Sequence, residues 1–115
     1  MDVHTVATEE SGHTRIVLAA GEVDAFAAPD LLSAFLETRG ATRVLVDLTR
    51  VSFMDSTALG AIVRNVRELG EDGAEVQVVL PSGSARRIFE ITTLDRVLPV
   101  APSRAEGLAA LGPTD

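Results

Sequence analysis

The residues best suited to do chemistry in this sequence are Asp55, Ser56 and Thr57, which separate an apolar segment from an amphipathic one. A short apolar run is typical of a buried strand, and apolar residues three and four positions apart are typical of a helix. Both hydroxyls therefore fall in the first turn of a predicted helix, directly after a carboxylate. A hydroxyl in this position can act as a nucleophile, accept a phosphate or cap the helix.

Nucleophilic catalysis finds no support in the rest of the sequence. Ser56 lacks a Gly-x-Ser-x-Gly elbow, and the only histidines, His4 and His13, belong to a predicted N-terminal edge hairpin. There is no cysteine, P-loop or dinucleotide-binding glycine pattern. We therefore predict that the chain is not an enzyme and has no catalytic residue, metal site or cofactor. We interpret both histidines as surface residues.

A phosphate on Ser56 is expected to change binding and to spare the fold. It adds roughly −1.5 to −2 charges. The unpaired amides and positive dipole end of the helix favour such an anion by about 0.3–1 kcal/mol when it is exposed. The same charge, facing a partner that accepts Asp55 and a neutral hydroxyl, is expected to weaken binding by several kcal/mol. The alternative interpretation is that Asp55 or Ser56 only caps the helix, which contributes about 1 kcal/mol.

The junction belongs to a regular alternation of predicted strands and helices. Strands are expected at 3–8 (an edge strand), 14–20 with a turn at Gly21, 43–48, 75–80 and 97–100, and helices at 27–39, from Ser56 to Gly70, at 85–92 and at 103–111. This order implies right-handed crossovers. We predict an α/β fold with a mixed, mostly parallel sheet of four to five strands, an N-terminal edge hairpin and four helices.

The carboxyl ends of parallel strands share one rim of a sheet, where helix N-termini direct their amides outward. The segments Gly21–Asp24 and Met54–Thr57 are both expected at this rim. Asp24 has a simpler interpretation, in which it hydrogen-bonds the turn after its strand. Arg86 and Arg87 are interpreted as a solvated helix face and as optional partner contacts.

Composition limits the classes of partner. The chain of 115 residues has room for one core and carries a net charge of −7. All ten basic residues are Arg and none form a run, so direct nucleic-acid binding is not predicted. The sequence has no apolar run that approaches the ~20 residues of a membrane span and no signal-peptide pattern at its start. We predict a cytoplasmic protein without membrane insertion.

Three segments resemble one known family. Phe53–Gly60, with the sequence FMDSTALG, is similar to the signature of the STAS domain, which sulfate transporters and anti-sigma-factor antagonists share. Gly21–Asp24 resembles the motif after the second strand of that family, and Arg43–Leu48 resembles its central strand. The similarity covers roughly residues 12 to 111. It implies one STAS domain in residues 1–115, with its core at about 12–111.

The resemblance implies an anti-sigma-factor antagonist. Such a protein binds an anti-sigma factor that is itself an ATP-dependent serine kinase, and so frees a sigma factor. Phosphorylation of the motif serine ends binding, and a serine phosphatase restores it. The family's acceptor is the hydroxyl directly after the Asp, which favours Ser56 over Thr57. The implied partner-binding residues are Asp24, Asp55, Ser56, Thr57 and Ala58, with Ala58 standing where many phosphorylated members have Gly.

Two alternatives stay open from the sequence. The chain can be a STAS scaffold subunit that is never phosphorylated and belongs to a transporter or signalling complex. It can also bind a small molecule or nucleotide at the strand rim.

Overall fold

A computed structural model describes residues 4–81, 83–96 and 98–112. The strands are β1 (His4–Ser11), β2 (Thr14–Val23), β3 (Arg43–Met54), β4 (Glu75–Val79) and β5 (Val100–Ala101). The helices are α1 (Ala28–Glu37), α2 (Ser56–Glu71), α3 (Ser84–Ile91) and α4 (Arg104–Ala110), and short 3₁₀ turns lie at Ala25–Ala27 and Leu94–Arg96.

The five strands form one mixed sheet in the order β1-β2-β3-β4-β5. β1 pairs antiparallel with β2, and the remaining pairs are parallel. The predicted α/β architecture is therefore confirmed. Because each crossover is expected to be right-handed and the strand order never reverses, helices α1 to α3 fall on one face of the sheet. They cover the larger apolar core there, whereas α4 packs on the other face over a small cluster.

Strands β2 and β3 are longer than predicted. The prediction of a turn at Gly21 is wrong, because β2 continues to Val23. The register of the pairing between β2 and β3 shifts beside Gly21, which adopts a φ of 80°. A glycine tolerates this conformation without the usual steric cost. β3 passes its last pairing with β4 at Asp47 and reaches Met54. These seven further residues span about 23 Å and carry both strand-to-helix junctions away from the rest of the sheet.

Other element boundaries also differ from the predictions. β1 extends to Ser11, so the hairpin turn is tighter than expected. The edge strand predicted at 97–100 is found as β5 at Val100–Ala101, after Pro99, which lacks the N–H that a ladder needs. Residues 3 and 97 of the predicted strands lie outside the described residues. Helix α1 is shorter than predicted, and it is preceded by the 3₁₀ turn. Ser103 caps α4, since its Oγ accepts the N–H of Glu106 at 3.1 Å.

An ion pair between the buried Asp47 and the partly exposed Arg104 holds α4 against the back of the sheet. Asp47 is 3% exposed, and its Oδ2 accepts the Nε–H of Arg104 at 2.9 Å. Its Oδ1 accepts both the N–H and the hydroxyl of Thr49, at 2.9 and 2.7 Å. Burial alone would raise the pKa of Asp47, but the hydrogen bonds from Thr49 and the charge of Arg104 outweigh it and hold the pKa below 3.8. Arg104 also reaches Glu9 on β1 at 3.1 Å, so one guanidinium links three elements.

The backbone of α4 approaches the sheet closely at Gly107. A Cβ added there would lie 2.6 Å from Leu45 Cδ1 and 3.2 Å from Val79 Cγ2. Both neighbours are fully buried. The back face is therefore closed by close backbone packing as well as by the ion pair.

Candidate functional site

The side chain of Asp55 joins the two strand-to-helix junctions. Its Oδ1 accepts the N–H of Ala58 at 2.9 Å and so caps α2. Its Oδ2 accepts the N–H of Ala25 at 3.0 Å, at the start of the first 3₁₀ turn. The backbone N–H of Asp55 in turn donates to Val23 O at 3.2 Å. The structure therefore brings together the two segments that the sequence places at one rim.

Asp24 caps the 3₁₀ turn that follows β2. Its Oδ1 accepts the N–H of Phe26 at 3.0 Å, and its backbone oxygen accepts the N–H of Ala27 at 2.9 Å. The simpler interpretation of Asp24 as a residue that organises its turn therefore describes its contacts. The side chain is half-buried.

Ser56 and Thr57 are the first two residues of α2, and both are exposed. Within the described part of the chain, neither hydroxyl forms a hydrogen bond. The first amides of a helix have no intrahelical partner, so the N-terminus of α2 is electropositive at this point. The Ser56 hydroxyl therefore combines an open approach with a backbone that favours an anion.

Ala58 differs from the other predicted partner-binding residues, because it is fully buried beneath α2 within the main core. The third position of the helix turns toward the sheet, so its methyl group packs inside and its N–H is held by Asp55. The side chain of Ala58 is not available to a partner, and we withdraw it from the predicted contact surface.

Two phenylalanines at this rim are exposed, and the sequence did not single them out. Phe26 is 80% exposed in the 3₁₀ turn, and Phe53 is 51% exposed near the end of β3. The other two, Phe35 and Phe89, are fully buried. A signal was present, because Phe26 lies outside the apolar stripe of α1 and Phe53 alternates with the buried Met54. The exposure of the two rings could be inferred from this signal only with the correct lengths of β2 and β3, and both strands were predicted too short.

An open groove of about 560 Å³ runs along α2 from Ser56. Its lining consists of Ser56, Leu59, Gly60, Val63, Arg64, Arg67, Glu68, Glu71 and Leu94.

Two other residues named from the sequence, Arg86 and His4, do not line this groove. On α3, the Nε of Arg86 lies 3.9 Å from the Oε2 of Glu90, one helical turn further along the chain, as expected for a solvated helix face. His4 lies at the edge of the sheet, where its Nε2 contacts Asp30 of α1 at 2.9 Å. None of the helices in the described residues has the length and apolarity needed to cross a membrane.

Comparisons with known proteins agree with this geometry. The protein-family model of the STAS domain matches residues 5–107. An anti-sigma-B factor antagonist of Listeria monocytogenes is 34% identical over 86 residues, which cover 73% of this chain and 75% of that protein. The crystal structure of an anti-sigma factor antagonist from Mycobacterium paratuberculosis superposes with a TM-score of 0.84 at 28% identity, covering 95% of this chain and 94% of that one.

The anti-sigma factor antagonist SpoIIAA, in its unphosphorylated form, superposes with a TM-score of 0.60 at 25% identity, covering 81% of this chain and 97% of that one. The family model spans most of the sequence, and the similarity to the Listeria protein extends over most of both chains. This chain therefore belongs to the STAS domain family.

Proposed function

We propose that this protein is a cytoplasmic anti-sigma-factor antagonist whose unphosphorylated form binds a kinase-type anti-sigma factor and so releases a sigma factor. Phosphorylation of Ser56 ends the binding, and a serine phosphatase restores it. The observation that carries this proposal is the exposed hydroxyl of Ser56 at the start of α2, directly after the capping carboxylate of Asp55. The chain binds no nucleotide of its own in this scheme, because ATP is bound by the kinase.

The position of Ser56 allows a phosphate without loss of the fold. The residue is exposed, so the added group needs no buried space. The helix dipole and free amides offset part of the added charge, by about 0.3–1 kcal/mol. The capping bonds of Asp55 go to Ala58 and Ala25, and neither involves the serine hydroxyl. Modification therefore leaves the contacts that hold the rim in place.

The same group is expected to disrupt a complex with a kinase. Phosphoryl transfer requires the γ-phosphate of ATP to approach the acceptor oxygen closely. The partner therefore presents an anionic nucleotide opposite Ser56, beside the carboxylate of Asp55. After transfer, a dianionic phosphoserine faces the remaining nucleotide phosphates at short range, and like charges across an interface cost several kcal/mol.

The relatives support the same function. The Listeria protein is an anti-sigma-B factor antagonist by name, and the SpoIIAA structure is distinguished by its phosphorylation state. Both identities extend over most of this chain. Ser56 and Thr57 are both exposed, so the preference for Ser56 rests on its place directly after the Asp of the family motif.

Mass spectrometry after incubation with the cognate kinase and ATP tests the acceptor. We expect one phosphate on the wild-type protein and on Thr57→Ala, and none on Ser56→Ala. Phosphate on Thr57, or on neither residue, contradicts the proposal. Recovery of a membrane transporter component in a pull-down, in place of a soluble kinase, favours the scaffold alternative.

A further inference from the structure

The rim around Ser56 carries two features that its chemistry as a phosphate acceptor does not require. One is the pair of exposed phenylalanines, Phe26 and Phe53. The other is the hydrogen-bonded frame that holds Phe26, made by the carboxylates of Asp24 and Asp55. We infer that Phe26 and Phe53 are the apolar anchors by which this protein docks on the anti-sigma factor, and that Asp24 positions Phe26. This inference rests on the proposed function and specifies its docking surface.

Phe26 is exposed, but hydrogen bonds hold the backbone at this residue in place. Its own N–H is bonded to Asp24, and the N–H of the preceding residue, Ala25, is bonded to Asp55. Asp55 is fixed in turn by its bonds to Val23 and Ala58. The backbone that presents the ring is therefore ordered before any partner arrives. An aromatic side chain presented in this way loses little conformational entropy on binding.

Phe53 lies on the second junction, two residues before Asp55. Its Cα pairs with that of Glu22 on β2, and the next pair, Val23 and Met54, is buried. Phe53 faces away from the core beside Met54, and a register shift between Gly21 and Glu22 separates it from the buried Val51. The two rings thus lie on the two segments that Asp55 joins through its hydrogen bonds.

The surroundings of the rings indicate the chemistry of the occupant. The two junctions, residues 21–27 and 52–57, contain three carboxylates and no basic residue, and the arginines of the groove, Arg64 and Arg67, lie further along α2. The partner surface is therefore expected to offer apolar pockets bordered by basic side chains. A kinase that must also bind the phosphates of ATP at this place supplies such basic groups. Buried aromatic anchors at the centre of an interface, with a charged rim, are the usual arrangement of binding hot spots.

Asp24 acts in this arrangement through the backbone that it holds. The atom that positions Phe26 is Oδ1, which accepts the backbone N–H of Phe26. An asparagine keeps an oxygen at this position and removes the charge, whereas an alanine removes both. The two substitutions therefore separate positioning of Phe26 from direct recognition of a carboxylate by the partner.

The test measures the affinity of the kinase-type anti-sigma factor from the same organism by titration calorimetry, with a non-hydrolysable ATP analogue present. We expect Phe26→Ala to weaken binding about thirtyfold, or about 2 kcal/mol, and Phe53→Ala to weaken it about fivefold. The matched control is Leu36→Ala, in the last turn of α1, where the side chain is 54% exposed. We expect it to change the affinity less than about twofold. Urea unfolding of each variant checks that the fold is retained.

Two results overturn the inference while the proposed function stands. One is a wild-type protein that binds and is phosphorylated on Ser56, with a Phe26→Ala variant of unchanged affinity. The other is an Asp24→Asn variant that loses as much affinity as Asp24→Ala, since this means that the partner recognises the charge itself. Retained affinity in Asp24→Asn, with loss in Asp24→Ala, supports positioning. Absence of both binding and phosphorylation in the wild type overturns the proposed function and the inference with it.

Discussion

Asp47 and Asp55 are two carboxylates of nearly the same segment of chain with opposite surroundings. Asp47 lies within β3 on the back of the sheet, is 3% exposed, and binds Thr49 and Arg104. Asp55 follows β3 at the rim, is half-buried, and binds only backbone N–H groups. Asp47 has a charged partner on helix α4, whereas Asp55 has none among the described residues. The carboxylate of Asp47 fixes a helix against the sheet, whereas the carboxylate of Asp55 orders the backbone of the rim and leaves its surface exposed.

The surfaces around them differ in the same way. Beside Asp47, the backbone of α4 touches the sheet at Gly107, and a small apolar cluster fills the space. Beside Asp55, two phenylalanines and the hydroxyl of Ser56 face outward. Substitutions at the back are therefore expected to change the free energy of unfolding, and substitutions at the rim are expected to change partner affinity.

Asp47→Ala should have the largest effect on stability. It removes the acceptor of Thr49 and the buried partner of Arg104, and we expect the free energy of unfolding to fall by about 2–4 kcal/mol. The guanidinium is partly exposed, which keeps the loss below that of a fully buried pair. Urea unfolding measures the change. A loss under about 0.5 kcal/mol would show that the ion pair does not hold the back face.

Gly107→Val should be the next largest. The added side chain meets Leu45 and Val79, which are fully buried and would have to shift, and we expect the free energy of unfolding to fall by about 1–3 kcal/mol. Gly70→Ala is the matched control, since its Cβ would meet nothing within 4 Å. Thermal unfolding should show a gain for Gly70→Ala of up to about 1 kcal/mol from helix propensity. A stabilised Gly107→Val variant would mean that α4 is not packed as described.

Asp55→Ala should combine a smaller loss of stability with a loss of partner binding. It removes the cap of α2 and the bond to Ala25, which together contribute about 1–2 kcal/mol. Asp55→Asn keeps one acceptor oxygen and should lie between the alanine variant and the wild type. Paired unfolding and calorimetry measurements give both quantities. An Asp55→Ala variant with wild-type stability would contradict the capping role.

The smallest effect is the pH dependence that Asp47 contributes. Its pKa in the folded protein lies below its ordinary value of 3.8, so its contribution to stability is present above that value and is lost as the pH falls through the folded pKa. The difference in unfolding free energy between the wild type and Asp47→Asn should be constant above about pH 5 and shrink below about pH 4. Urea titrations across this range measure it. A difference that grows on acidification would contradict the sign.

The strand and helix order followed from the sequence because each element carries its own periodicity. The start of α2 was also predictable, since Asp55 is a preferred cap before an apolar stripe. The extension of β3 was not, because Thr49, Arg50 and Ser52 are polar and exposed, and only pairing with β2 makes them a strand. That error also displaced the expected surroundings of Phe53.

The remaining features that were not predicted from the sequence depend on tertiary contacts. The partner of Asp47 is Arg104, 57 residues away, and nothing in the local pattern connects the two. The burial of Ala58 depends on which way the first turn of α2 faces the sheet, and a helix pattern leaves that angle undetermined to about one residue. The exposure of Phe26 depends on a 3₁₀ turn that two aspartates hold from different parts of the chain.

The most direct test of the account compares the affinity of the anti-sigma factor for this protein with and without phosphate on Ser56, together with the thermal unfolding of both forms. The account predicts binding at least tenfold weaker for the phosphorylated form, or about 1.4 kcal/mol, with the unfolding free energy changed by less than about 1 kcal/mol. Equal affinity of the two forms, or binding lost only because the phosphorylated protein unfolds, would contradict it.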